Sequence, residues 1–119
     1  LSLRQSMNVL ESTFSERIEL ANTYSYMGET YRKMRYYSAA ILFFGYALKI
    51  RERLTPEKHP ELAISYYDLS KVYKDMNQNN KMAFEYAQKA FEIARYALPE
   101  THPLCEKCKL MVMHLEQFL

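Results

Sequence analysis

The chain has 119 residues, about half of them apolar and a quarter charged, with a formal net charge of +2. That length suits one hydrophobic core rather than two, and the apolar share excludes a disordered tail. So small a charge leaves no electrostatic footprint for nucleic acid or a membrane surface, and no apolar run approaches the ~18 residues of a membrane span.

Punctuation is sparse. The two glycines are Gly28 and Gly45, and the four prolines fall in two clusters, Pro56 with Pro60 and Pro99 with Pro103. Few turn signals predict a few long helices in an all-α fold rather than many short strands. Segment 2–12 carries Leu3, Met7 and Leu10 and is expected to be the second helix of an earlier unit whose partner is absent. Residues 16–34 place Leu20, Tyr24, Met27 and Tyr31 on one helical stripe, and residues 36–54 place Ala40, Phe44, Ala47 and Ile50 on another. The plan then recurs: Leu62, Tyr66, Leu69 and Tyr73 in 60–76, followed by Ala83, Ala87, Ala90 and Ile93 in 80–97. A final helix, 103–118, shows Leu104, Cys108, Met111 and Leu115. About six helices are expected in a single domain, 1–119, with repeat 1 at 16–54 and repeat 2 at 60–97.

The first helices superpose at a shift of 42 and the second helices at 43, the extra residue fitting the polar turn at 77–80. This is a helical-hairpin repeat. Its corners are written PEKHP at 56–60 and PETHP at 99–103. Proline suits the first helical position and pushes the residue before it out of helical geometry, so Pro60 and Pro103 are expected to start helices beside His59 and His102. Pro56 and Pro99 help to end the helices before them.

Chemistry finds little support. HPLCEKC at 102–108 offers a histidine and a Cys-x-x-Cys pair, but a zinc site lacks its second pair of ligands, and Cys108 stands in a core slot. Cys105 and Cys108 are therefore read as core residues, no disulfide framework is expected, and an intracellular, cytoplasmic setting follows as the default. Of the 11 tyrosines, Tyr24, Tyr31, Tyr66 and Tyr73 are accounted for as core layers; Tyr36, Tyr37, Tyr67, Tyr86 and Tyr96 are open to exposure, but without a strong positive balance no nucleic-acid partner is expected. The run KIRER at 49–53 reads as a solvated helix end, and Glu16, Glu19 and Glu29 as solvent-facing charges. No glycine-rich phosphate loop, HExxH or nucleophile elbow is present. The segment is expected to be no enzyme and to need no cofactor or metal.

The units resemble tetratricopeptide repeats. The family's spaced residues stand here as Tyr24, Met27, Gly28, Tyr31, Ala40, Phe44 and Ala47. In the second unit they are Tyr66, Leu69, Ser70, Tyr73, Ala83, Ala87 and Ala90, with Ser70 for the glycine and Ala87 for the aromatic. The long period and the phrase ALKIRERLTPEKHPELA are similar to the kinesin light chain subclass. The resemblance implies a right-handed superhelix of antiparallel hairpins. It also implies a non-catalytic scaffold that holds a protein or peptide partner in a concave groove lined by the first helix of each unit.

Carried over by position, that groove holds Asn22, Ser25, Glu29, Arg32 and Lys33, then Ile64, Tyr67, Lys71 and Lys74, then Lys109. This mostly basic strip is expected to suit an acidic or C-terminal peptide. Chaperone-binding members clamp a terminal carboxylate with a lysine, asparagine and arginine set, where this chain has Ser25 and Glu29. Kinesin light chains carry paired asparagines where it has Ser25–Tyr26 and Tyr67–Asp68. Two other roles fit such a module: the helical lobe of a larger enzyme, as in methyltransferases combining SET and MYND domains, or a homodimer formed through incomplete repeat ends. The start at Leu1 and the apolar Phe118 and Leu119 are expected to mark a cut boundary or a buried contact.

Overall fold

The computed structural model of the protein describes residues 2–119, apart from the side chains of Leu10 and Glu11. Five helices run in order among the described residues: α1 (Leu3–Lys33), α2 (Tyr37–Leu54), α3 (Pro60–Met76), α4 (Asn80–Ala97) and α5 (Pro103–Glu116). Each packs against the next, α1 also meets α3, and α3 meets α5, giving an elongated body of 58 × 32 × 19 Å. This is an all-α solenoid of antiparallel hairpins.

The corners form as the sequence predicts, and the histidines have a definite task. His59 Nδ1 accepts a hydrogen bond from the Glu61 amide at 3.1 Å, and His102 Nδ1 accepts from the Leu104 amide at 3.0 Å. Each imidazole satisfies a donor that the first turn leaves without an intrahelical partner. Pro60 and Pro103 fill the first helical positions, where no amide hydrogen is needed. Within each hairpin the turn is made by a left-handed residue, Arg35 (φ 66°) in the first and Asn77 (φ 54°) in the second.

Three expectations change. Segments 2–12 and 16–34 are one 31-residue helix, so the helices number five and not six. Ser12, Thr13 and Ser15 look like a break, yet no glycine or proline interrupts the backbone there, and the Ser12 hydroxyl donates to Glu16 one turn on. A capping box formed by Ser2 and Gln5 starts the helix instead. The first half of α1 runs past its partner: Leu3, Met7, Val9 and Phe14 are all exposed, and Leu10 of the expected stripe lies outside the described side chains.

The second change concerns the stripes. Leu20 is 44% exposed and Ala21 is buried in its place, while the stripes of α2 and α4 end on Arg51 and Ala94 rather than Ile50 and Ile93. The third concerns α5. Its buried residues, Cys105, Cys108, Met111 and Leu115, match Leu62, Ser65, Asp68 and Val72 at a shift of 43, the same as the shift between the corners. A continuous helix that starts on equivalent prolines cannot lose a residue, so the shift of 42 ends at α3.

Close approach of α1 and α2 depends on Gly28. A Cβ there would lie 2.8 Å from the Phe44 ring, which is itself buried. The equivalent pair in the second hairpin is Ser70 and Ala87, both fully buried. The two departures from the family pattern offset one another in size: the larger residue stands on α3 and the smaller one on α4.

Candidate functional site

Between α1 and α3 lies a cleft of about 380 Å³ lined by Asn22, Ser25, Tyr26, Glu29, Arg51, Glu61, Ile64, Asp68 and Lys71. Its floor is Arg51, 3% exposed, which reaches from α2 through to the cleft. The guanidinium donates from Nη1 to Ser65 Oγ at 2.7 Å and from Nη2 to Asn22 Oδ1 at 3.1 Å, and its Nε lies 3.4 Å from the Glu61 carboxylate. A buried arginine needs such partners, because desolvation of an unpaired charge costs several kcal/mol. The KIRER run is thus split: Lys49, Glu52 and Arg53 are solvated as expected, whereas Arg51 is not.

Two of the cations expected to leave the groove basic, Arg32 and Lys71, are paired with acids. Glu29 accepts from Arg32 Nη2 at 2.6 Å and from Lys71 Nζ at 3.2 Å, and Arg32 also pairs with Asp75. The Arg32 hydrogen bond, with Lys71 beside it, holds the Glu29 carboxyl at about 2 despite partial burial, below its ordinary 4.5. Asp68 behaves oppositely. Burial pushes its carboxyl up from 3.8 to about 6, opposed by Lys71, whose Nζ is 3.5 Å from Oδ1, and by Arg51. Ser25 Oγ is buried at the edge of the same cleft with no hydrogen-bond partner among the described residues.

Of the residues expected to form the groove, Asn22, Ser25, Glu29, Ile64 and Lys71 meet in this cleft. Arg32 and Lys33 line a separate recess of about 470 Å³ with Arg35, Tyr37 and Asp75. Tyr67 is half-buried against the α4 and α5 packing, with Lys71 Nζ 5.4 Å from its ring centre. Lys74 is half-buried on α3 and makes no ion pair among the described residues. Lys109 is separate, lining a cleft with Phe91, Arg95, Glu100, Cys105 and Glu106 at the α4–α5 end.

Sequence reasoning missed Tyr26, Arg51, Glu61 and Asp68. Arginine at the fourth place of the α2 stripe was the available signal for the buried floor. The cysteines are core: Cys105 Sγ donates to the Ala94 carbonyl at 3.2 Å, and burial pushes the Cys108 thiol up to about 12. A thiol so seldom ionised is a poor nucleophile and a poor metal ligand.

The family model for the tetratricopeptide repeat matches residues 19–95, which span the second half of α1, all of α2 and α3 and nearly all of α4. The chain belongs to the tetratricopeptide-repeat family. Tetratricopeptide repeats generally mediate protein–protein interaction and are generally non-catalytic. No curated protein matches the chain. None of the tetratricopeptide helices described is long and apolar enough to cross a membrane.

Proposed function

We propose that this tetratricopeptide domain is a non-catalytic interaction scaffold whose α1–α3 cleft holds a segment of a protein partner. The supporting observation is the polar floor: Arg51, Asn22 and Asp68 converge on one cleft, beside a serine hydroxyl with no partner of its own. Such groups match the amides and carbonyls of an extended segment. Glu29 occupies both Arg32 and Lys71, so net charge is not what selects the segment here. Tyr26, 77% exposed at the cleft edge, supplies the aromatic surface that anchors protein contacts.

Selection of peptides from a random library on the native domain, followed by fluorescence polarisation against variants, tests this reading. Asn22→Ala and Tyr26→Ala are each expected to weaken selected peptides by about tenfold, a typical loss for a contact worth above 1 kcal/mol. Unchanged affinity in both, with the helical signal intact, would remove the cleft from the interaction.

A further inference from the structure

On the other side of α1 lies a cleft of different character. It has about 260 Å³ and is lined by Arg17, Leu20, Tyr24, Tyr46, Lys49, Ile50, Arg53 and Leu54, from α1 and α2. At 3.6 residues per turn, Leu20 and Tyr24 each point about 160° away from Asn22, so this cleft and the α1–α3 cleft back onto opposite faces of one helix.

Three features set it apart. Its walls are apolar and open, with Leu20 44% and Tyr46 40% exposed. Its charged residues among those described are all cations: Arg17, Lys49 and Arg53, with no carboxylate in that lining. None of the three makes an ion pair among the described residues, whereas Arg32, Arg51 and Lys71 all do.

The second hairpin provides an internal comparison. Its equivalent cleft is lined by Glu57, Lys58, Tyr66, Lys89, Glu92 and Ile93. There Glu92 stands at the place of Lys49, and Lys89 stands at the place of Tyr46, with its ammonium 5.5 Å from the Tyr66 ring centre. That cleft is balanced in charge and its aromatic wall is covered. The unopposed positive charge over an open apolar wall belongs to the first hairpin alone, so the repeat architecture does not require it.

We propose that the α1–α2 cleft is a second protein-docking site, taking an acidic segment of a partner that carries one large apolar side chain. The apolar side chain enters between Leu20, Tyr24, Tyr46 and Ile50, and the flanking carboxylates meet Arg17, Lys49 and Arg53. Charge complementarity carries the choice of partner, since an acidic rim group gains attraction and meets no repulsion. The recess lies just under the roughly 300 Å³ at which small-molecule pockets begin, which suits one anchoring side chain. It is concave, which suits a protruding residue better than a flat bilayer. The preference for an acidic ligand, expected from sequence for the α1–α3 cleft, is thereby placed where cations are unopposed.

The probe is a fluorescein-labelled, acetylated and amidated peptide with a central Leu-Phe pair flanked on both sides by glutamates. Polarisation is measured with the whole 119-residue chain. Saturable binding is expected, weakened about tenfold or more when lysines replace the glutamates or Ser-Gly replaces Leu-Phe. The triple variant Arg17→Glu, Lys49→Glu, Arg53→Glu is expected to lose binding, and Asn22→Ala to keep it. Should the triple variant lose helicity, the milder Arg17→Gln, Lys49→Gln, Arg53→Gln form carries the comparison.

Absence of saturable binding would overturn the proposal, as would equal binding by the charge variants. Loss in Asn22→Ala instead would return the peptide to the α1–α3 cleft. Phosphatidylserine–phosphatidylcholine vesicles that bind through the same cations while the peptide does not would make the surface a membrane contact and refute peptide docking.

Discussion

Asp68 and Glu29 share a cleft and are driven in opposite directions by it. Asp68 has a folded value of about 6 against an ordinary 3.8, because burial outweighs the pull of Lys71 and Arg51. Below pH 3.8 it is protonated in both the folded and unfolded chain and contributes nothing. As pH rises through that window the unfolded chain releases its proton first, so stability falls until about pH 6 and is level above it, by at most about 3 kcal/mol. Glu29, lowered from 4.5 to about 2, contributes stability that is full above 4.5 and is lost as pH falls toward 2. Asp68→Asn is therefore expected to raise the melting temperature at pH 7.5 and to leave it nearly unchanged at pH 4. Thermal unfolding followed by circular dichroism reads both, and an equal shift at the two pH values would contradict the burial account.

The two hairpins solve one packing problem with different residues. Gly28 leaves room for the Phe44 ring, and Ala87 leaves room for Ser70. Gly28→Ser is expected to cost about 1–3 kcal/mol by overpacking, and Phe44→Ala about 3–5 kcal/mol by opening a cavity. The double variant reproduces the second hairpin's pair, so it should be more stable than the sum of the single losses by at least about 1 kcal/mol. Urea denaturation of the four proteins measures this coupling, and strict additivity would show that the pair acts independently. The residues that made the repeat legible are of this local kind: corner prolines, alanine stripes, and tyrosines one or two turns apart. Arg51 was not legible, because its burial comes from α1 and α3 closing on the end of α2. The Glu29–Lys71 pair was equally hidden, since acid and base lie on α1 and α3 with the whole of α2 between them. Half the expected groove converged for the same reason that the fold was readable: positions on one helix face stay together. Lys109 did not, because the α5 register differs by one residue and turns it toward the far end.

Across the whole chain, stability is unevenly spread. α3 is packed between α2, α4 and α5 and carries seven buried residues, more than any other helix. The first half of α1 has no buried side chain among those described, although its backbone is helical. Amide hydrogen exchange should follow this division, with amides before Ile18 exchanging orders of magnitude faster than those of Leu69 to Val72. Equal protection along both segments would mean that the exposed stripe of Leu3, Met7 and Phe14 is covered in solution. The structure thus combines a protected centre with two differently charged clefts on either side of α1, one lined by charges of both signs and one by cations.

The compensating pairs also decide where such a chain can be recombined. Gly28 and Phe44 are inherited together only if the turn between α1 and α2 is left whole, and Ser70 and Ala87 only if the turn between α3 and α4 is. A crossover inside either hairpin would join glycine to alanine and leave a hole, or serine to phenylalanine and force an overlap. A crossover in the proline–histidine corner separates neither pair, and the corner brings its own helix start with it. That corner is the seam at which an array of these units can be lengthened or shortened by gene duplication with both compensating pairs kept intact.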